Sequence, residues 1–241
     1  MIRYFFLNAF IGVFSAIFCI WGLMVALFDR TGKKVHKVTA VPWARGILKV
    51  CGVKVIVTGL ENVNSNMPRV YMNNHQSFFD IFALLACLPV DFKFILKQEL
   101  MRIPLLGPAM KRARYISIDR ENPRKAVKSM DEAAERIRNG ASVVIFPEGT
   151  RSPDGHLLPL KKGGFVLALK SGCDIVPITI DGSHRIAPKG SLRINKGSFN
   201  LHIGQPIPVS GYSKKNIDEL MEKVRFAIQE PMKGKGQVPQ S

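Results

Sequence analysis

Acidic residues are scarce in this chain: 18 Asp and Glu stand against 35 Lys and Arg among 241 residues, a formal charge of +17. So large an imbalance is unlike an ordinary near-neutral enzyme surface and points to an anionic partner such as nucleic acid, lipid headgroups or phosphorylated substrates. Cysteine is scarce as well. Cys19, Cys51, Cys87 and Cys173 lie far apart, with no C-x-x-C pair and no His at zinc-ligand spacing, so neither a disulfide framework nor a metal site is indicated. A reducing cytoplasmic setting suits the folded part. There is no G-x-S-x-G nucleophile elbow, no internal repeat, and no linker that would divide the chain. The length suits one sizeable domain with an accessory segment.

What the chain does have is a long uncharged run. Tyr4 to Phe28 carry no charge over 25 residues, which as a helix at ~1.5 Å per residue covers ~37 Å, more than the ~30 Å hydrocarbon core of a bilayer. A signal peptide has a shorter apolar core, typically ~7–15 residues, and ends in a small-x-small cleavage site. None precedes Asp29. Residues 1–32 are therefore expected to be a retained membrane anchor, which favours a membrane over nucleic acid as the anionic surface. Arg30, Lys33, Lys34, Lys37 and Arg45 follow the run and Arg3 alone precedes it, a bias that places the remainder on the cytoplasmic face. A re-entrant hairpin bent near Gly12 or Gly22 is the alternative to a spanning helix.

Residues 33–52 mix basic positions with Val38, Val41, Trp43, Ile47 and Leu48, a pattern that suits an interfacial helix with its Trp at headgroup depth or ordinary core packing. After Gly52 short β-type runs alternate with helix-like stretches. Val53–Val57, Val70–Asn73, Phe92–Leu96, Tyr115–Ile118, Ser142–Phe146, Ile175–Ile180 and Phe199–Ile203 read as strands. Pro123–Asn139 reads as a helix, with Asn122 as N-cap, Pro at the first turn and Gly140 after the end. A second helix follows Ser213 and is expected to stop before Pro231, leaving 231–241 as a disordered tail. Alternation of this kind predicts an α/β domain over residues 53–230.

Two clusters carry candidate chemistry. His75 and Asp80 follow the strand Val70–Asn73, at the kind of strand end where α/β sheets place sites. Five residues along a helix is ~140° of rotation, so the two meet only if His75 lies in the turn and Asp80 in the first helical turn. Ser77-x-x-Asp80 reads as a capping box opening that helix, so Asp80 is either a helix cap or the histidine's partner. A neutral imidazole held in one tautomer by a carboxylate is suited to take a proton from an alcohol; Ser77 as a nucleophile is the competing use. The second cluster, Phe146-Pro147-Glu148-Gly149-Thr150-Arg151-Ser152, follows the strand around Val143-Val144-Ile145. Its Pro and Gly force a turn that would present Glu148 and Arg151 at the sheet edge, alone no more than a surface ion pair. Arg120 and Lys97 close two further strands. Convergence of these cations with His75 and Asp80 would make a phosphate pocket.

These blocks resemble, in order, those of the glycerolipid acyltransferase family, and within it the bacterial-type 1-acyl-sn-glycerol-3-phosphate (lysophosphatidic acid) acyltransferases. The likeness covers roughly residues 70 to 180: the H-x-x-x-x-D box at His75 and Asp80, a block ending Ile118-Asp119-Arg120 in which Arg114 replaces a frequent Gly, the F-P-E-G-T-R-S block, and Ile175-Val176-Pro177-Ile178-Thr179-Ile180. Lys97-Gln98-Glu99-Leu100 with Pro104 and Gly107 resembles a further signature. The resemblance implies a single acyltransferase domain with a central mixed sheet flanked by helices, preceded by the membrane helix. It implies His75 as general base with Asp80 as partner, and acceptor binding by Lys97, Arg120, Glu148, Gly149 and Arg151. The implied reaction moves an acyl group from acyl-CoA or acyl-acyl carrier protein to the 2-hydroxyl of lysophosphatidic acid, without metal, other cofactor or covalent intermediate. Membrane lipids are implied partners and nucleic acid is not, with the enzyme at the cell (inner) membrane, catalytic domain in the cytoplasm. Another acceptor, such as glycerol 3-phosphate, a lipid hydrolase using His75 and Ser77, and a non-catalytic lipid binder are the competing readings.

Overall fold

A computed structural model describes residues 2–119 and 123–233. The uncharged run forms α1 (Ile2–Ala26), which is followed by α2 (Lys33–Val35), a π turn over His36–Ala40 and α3 (Val41–Cys51). The mixed α/β domain continues as β1 (Val53–Thr58), β2 (Val70–Asn73), α4 (Phe79–Cys87), β3 (Phe92–Lys97), α5 (Leu106–Arg112), β4 (Ile116–Ile118), α6 (Pro123–Arg138), β5 (Ser142–Ile145), α7 (Lys162–Ser171), β6 (Ile175–Asp181), α8 (Ser183–Ile186), β7 (Gly197–Ile203) and α9 (Ile217–Lys233). All seven expected strands form, with ends differing by one or two residues. They make one sheet in the order β1-β7-β6-β2-β5-β3-β4. β6, β2, β5, β3 and β4 are mutually parallel, whereas β7, paired in parallel with β1, runs antiparallel to β6.

The sheet is covered on both faces. Alternation along β2 sends Tyr71 into the cluster with Ile47, Phe79, Phe82 and Phe92, under α3 and α4, and sends Val70 and Met72 into the one with Ile137, Phe165 and Val224, under α6, α7 and α9. Burial on both sides is why β2 and β5 are apolar throughout, as parallel strands between helical layers are. Five parallel strands also bring the residues after β2, β3, β4, β5 and β6 to one edge, where α/β folds place ligands.

The N-terminal segments differ from expectation. α1 is continuous through Gly12 and Gly22, so no hairpin forms. It packs lengthwise on the domain: Asn8 Nδ2 donates to Leu192 O (2.8 Å), Trp43 Nε1 donates to Ser15 Oγ (3.0 Å), and Gly22 faces Val35 and Thr39. The opposite face leaves Phe5, Val13, Ile17, Trp21 and Met24 exposed. Ile47 and Leu48 are buried in the core and Trp43 meets Phe82 edge-on, with centroids 5.1 Å apart. One apolar side of α3 is therefore used by the domain, as the core-packing alternative has it, while Val38 and Val50 stay exposed.

The junction is fastened by buried polar groups. The Asp29 carboxylate accepts the N–H groups of Thr31, Gly32 and Val35, and Lys93 Nζ donates to Gly32 O (3.1 Å) and Asp91 Oδ1 (2.8 Å). His36 lies buried beside Phe92, and burial lowers it to about 4, so it is neutral at physiological pH. At the other end α9 continues through Pro231 to Lys233. The tail reading is thus corrected for 231–233, while 234–241 and the N-cap position Asn122 lie outside the described residues.

Candidate active site

The turn between β2 and α4 holds His75 as the spacing requires, in the loop, with Asp80 in the first turn of α4. His75 Nδ1 lies 2.8 Å from Asp80 Oδ2, and that oxygen also accepts the N–H of Gln76 (2.7 Å) and of Ser77 (2.9 Å). Asp80 Oδ1 accepts the Ser183 hydroxyl at 2.5 Å. With Oδ2 alone Asp80 therefore ties down the loop ahead of α4 and partners the histidine. A carboxylate facing Nδ1 fixes the proton there and leaves Nε2 with its lone pair. The Asp80 side chain is fully buried, whereas that of His75 keeps 15% of its surface open, so the imidazole edge can be reached from outside.

Ser77 is fully buried, its hydroxyl donating to Ala187 O (3.0 Å) and accepting the Phe79 N–H (3.3 Å). Burial and these two bonds commit the hydroxyl to holding the turn before α4, which argues against Ser77 as a nucleophile. Asn74 and Gln76 fasten the turn to its neighbours. Asn74 exchanges two 2.7 Å bonds with the backbone of Ile180, and Gln76 bridges Gly155 O and the Gly182 N–H.

Glu148 does not sit where the turn chemistry predicted. It is buried, and its two oxygens accept the N–H groups of His75 (2.5 Å) and Leu158 (2.8 Å). The surface ion pair with Arg151 does not form. Burial pushes Glu148 up to about 7, helped by the Asp80 charge and opposed by the two amide bonds and the Arg225 charge. Ser152 N–H donates to His75 O at 2.7 Å. The loop after β5 thus grips the His75 backbone at both ends, through Glu148 and through the Ser152 amide. Gly149 turns this loop at φ 74, in the left-handed region that favours glycine. Phe146, read as a strand residue, lies against the imidazole at 3.9 Å between centroids and 31°. Sequence reasoning overlooked it, together with Ser183. The aromatic beside the Pro-Glu-Gly turn was a signal for the first; nothing local marks the second.

The basic residues are placed by the parallel strands. Lys97 ends β3 and is exposed, and Arg151 is partly exposed in the loop after β5; among the described residues neither side chain forms an ion pair. Arg120 follows β4 but lies outside the described residues. Beside the loop, Ile95, Ile118, Ile145, Phe146, Pro147 and Leu167 line an apolar cavity of about 310 Å³. The edge therefore carries an imidazole held by a carboxylate, cations of the kind that can meet phosphate oxygens, and an apolar recess.

Residues 54–181, more than half of the chain, match the Acyltransferase family. The chain belongs to the acyltransferase family. This acyltransferase is 42% identical over 210 residues to a chloroplastic 1-acyl-sn-glycerol-3-phosphate acyltransferase of Brassica napus, covering 86% of this chain and 59% of that protein. A chloroplastic counterpart from Arabidopsis thaliana is 41% identical, with 86% and 57% covered. The acyltransferase chain thus spans less than two thirds of the length of these curated relatives. The crystal structure of a 1-acyl-sn-glycerophosphate (LPA) acyltransferase, PlsC, from Thermotoga maritima superposes with a TM-score of 0.81 at 26% identity, over 98% of this chain and 99% of that one.

Proposed function

We propose that the chain transfers an acyl group from a thioester, acyl-CoA or acyl-acyl carrier protein, to the 2-hydroxyl of 1-acyl-sn-glycerol 3-phosphate, giving phosphatidic acid. The observation that carries this is the pairing of His75 Nδ1 with buried Asp80 at 2.8 Å, which aims a basic Nε2 outward. Nε2 takes the hydroxyl proton as the oxygen attacks the thioester carbonyl, and returns it to the departing thiolate. The C–O bond forms as the C–S bond breaks, so no covalent enzyme intermediate and no cofactor is required. Such general-base help contributes ~10²–10⁴-fold. Lys97 and Arg151, with Arg120, are read as cations for the acceptor phosphate. Holding it would place the hydroxyl at the base, and positioning offsets up to ~7–11 kcal/mol in ideal cases. The apolar cavity beside Phe146 is suited to an acyl chain. The similarity to proteins named for this acceptor supports the choice of substrate.

The anchor supports action at a membrane, with the catalytic domain on the cytoplasmic face of the cell (inner) membrane. Contacts from Asn8 to Gly22 extend over ~21 Å of helix at ~1.5 Å per residue, so a docked α1 would have to take polar domain surface into hydrocarbon if it spanned. An in-plane anchor with the exposed Phe5, Ile17 and Trp21 side in the lipid fits better. The test is product analysis with a labelled thioester and lysophosphatidate. Labelled phosphatidate is expected from the native chain, with a loss of at least ~10²-fold in folded His75→Ala. Labelled free fatty acid alone, or an undiminished variant, would sink the reading.

A further inference from the structure

Arg114 lies between α5 and β4 with φ 63, a left-handed backbone that glycine adopts freely and side chains rarely do. Only Leu105 shares this feature among the described non-glycine residues. The Arg114 stem packs over Gly32, where an added Cβ would lie 3.1 Å from its Cγ, and its Nε donates to Arg30 O at 3.1 Å. The side chain then opens onto a cavity of about 240 Å³, which Thr31, Lys93, Ile116, Arg136 and Asn139 also line. Among the described residues no carboxylate lines it. Lys93 is offset by Asp91 at 2.8 Å, so among the described residues the lining charges with no carboxylate partner are those of Arg114 and Arg136. Each guanidinium has five N–H donors, of which Arg114 commits Nε and Arg136 one Nη1 bond, to Arg114 O at 3.5 Å.

The location is remote from His75. Lys93 and Ile116 stand at the starts of β3 and β4, the sheet edge opposite the one carrying the active site. It is also the point where the anchor joins the domain: Leu27 and Phe28, 71% and 85% exposed, shortly precede its lining residue Thr31 in the chain, and Arg30, Lys33 and Lys34 flank it. Two guanidinium forks lining one cavity match phosphate oxygens, and the exposed apolar side chains of Leu27 and Phe28 close by in the chain suit a headgroup still attached to its lipid.

We propose that Arg114 and Arg136 form a second anion site, distinct from the catalytic one, that binds the phosphate of an anionic lipid headgroup at the anchor junction. The inference rests on membrane association through α1, and the test separates the two. Binding is measured to phosphatidylcholine vesicles with and without phosphatidylglycerol. The double variant Arg114→Gly, Arg136→Gln is expected to lose about tenfold or more in affinity for the anionic vesicles, at ~1 kcal/mol per contact, and to bind neutral vesicles like the native chain. Lys214→Gln, Lys215→Gln removes the same charge elsewhere, and a loss equal to that of the double variant would overturn the proposal in favour of diffuse attraction. Loss on neutral vesicles too would overturn it, since Arg114 would then only hold the linker. Inorganic phosphate titrated without vesicles distinguishes the ligand's source. Saturable binding that the double variant abolishes, with no effect on vesicles, would overturn the lipid assignment in favour of a free phosphate. A native chain that binds neither vesicle overturns the anchor reading itself. Because Arg114→Gly relieves the left-handed backbone, the variant is expected to melt no lower than the native chain.

Discussion

At the scale of residues, the site turns on how much one carboxylate does. Asp80 Oδ2 serves His75 and two backbone amides, and Oδ1 takes the Ser183 hydroxyl. In Asp80→Asn, one of these faces must present an amide N–H to existing donors. Leaving buried donors unmatched costs ~1–3 kcal/mol, so the variant is expected to melt lower and to lose kcat more than acceptor affinity; thermal melts and steady-state kinetics check it. Glu148 gives a pH prediction. Its folded value, raised to about 7 by burial, lies above the ordinary carboxylate range, so the neutral form is favoured on folding. That stability is fully present below about pH 4.5 and lost as pH rises through about 7. Relative to Glu148→Gln, the native chain should therefore lose stability between pH 5 and 8. A constant difference in melting temperature across that range would refute the assignment. Phe146 and Ser183 show why residue reading stops short: one is recruited by ring contact and the other from more than a hundred positions away.

At the scale of elements, hydrophobic periodicity and turn residues located nearly everything. Seven strands and the helices α6 and α9 were legible because each is patterned by the faces it buries. Pro231 was not decisive, because a proline near a helix end removes one hydrogen bond while α9 stays packed through Leu220, Val224 and Ile228. The π turn of His36–Ala40 had no sequence signal. α1 was legible as an apolar helix, but its docking was not, since that depends on small residues on the facing element. Gly46 is the clearest: a Cβ there would meet Phe14 at 2.7 Å. Gly46→Leu is expected to displace Phe14 and destabilise the packed state by ~1–3 kcal/mol, the usual cost of overpacking. Hydrogen exchange should then quicken in α1 while the sheet stays protected, and unchanged protection in α1 would count against lengthwise docking.

At the scale of the whole molecule, the +17 charge would attract an anionic membrane and, on the proposed function, a phosphorylated acceptor and acidic donors alike. Attraction between exposed charges is screened over ~8–10 Å near physiological ionic strength, so binding to anionic vesicles should weaken as salt is raised, while binding to neutral vesicles, driven by α1, should change little. Equal salt dependence on both would refute this division. The sequence by itself determined the α/β class, the uncharged N-terminal helix, the loop-to-helix setting of His75 and Asp80, the strand end bearing Lys97 and the turn bearing Arg151, because these follow from local periodicity, turn chemistry and spacing. Only the tertiary structure decided that Glu148 is buried behind His75, that α1 lies along the domain, and that Arg114 and Arg136 meet at its junction. Those facts depend on which distant segments come together and which groups lose their water, and neither is written in any short stretch of chain.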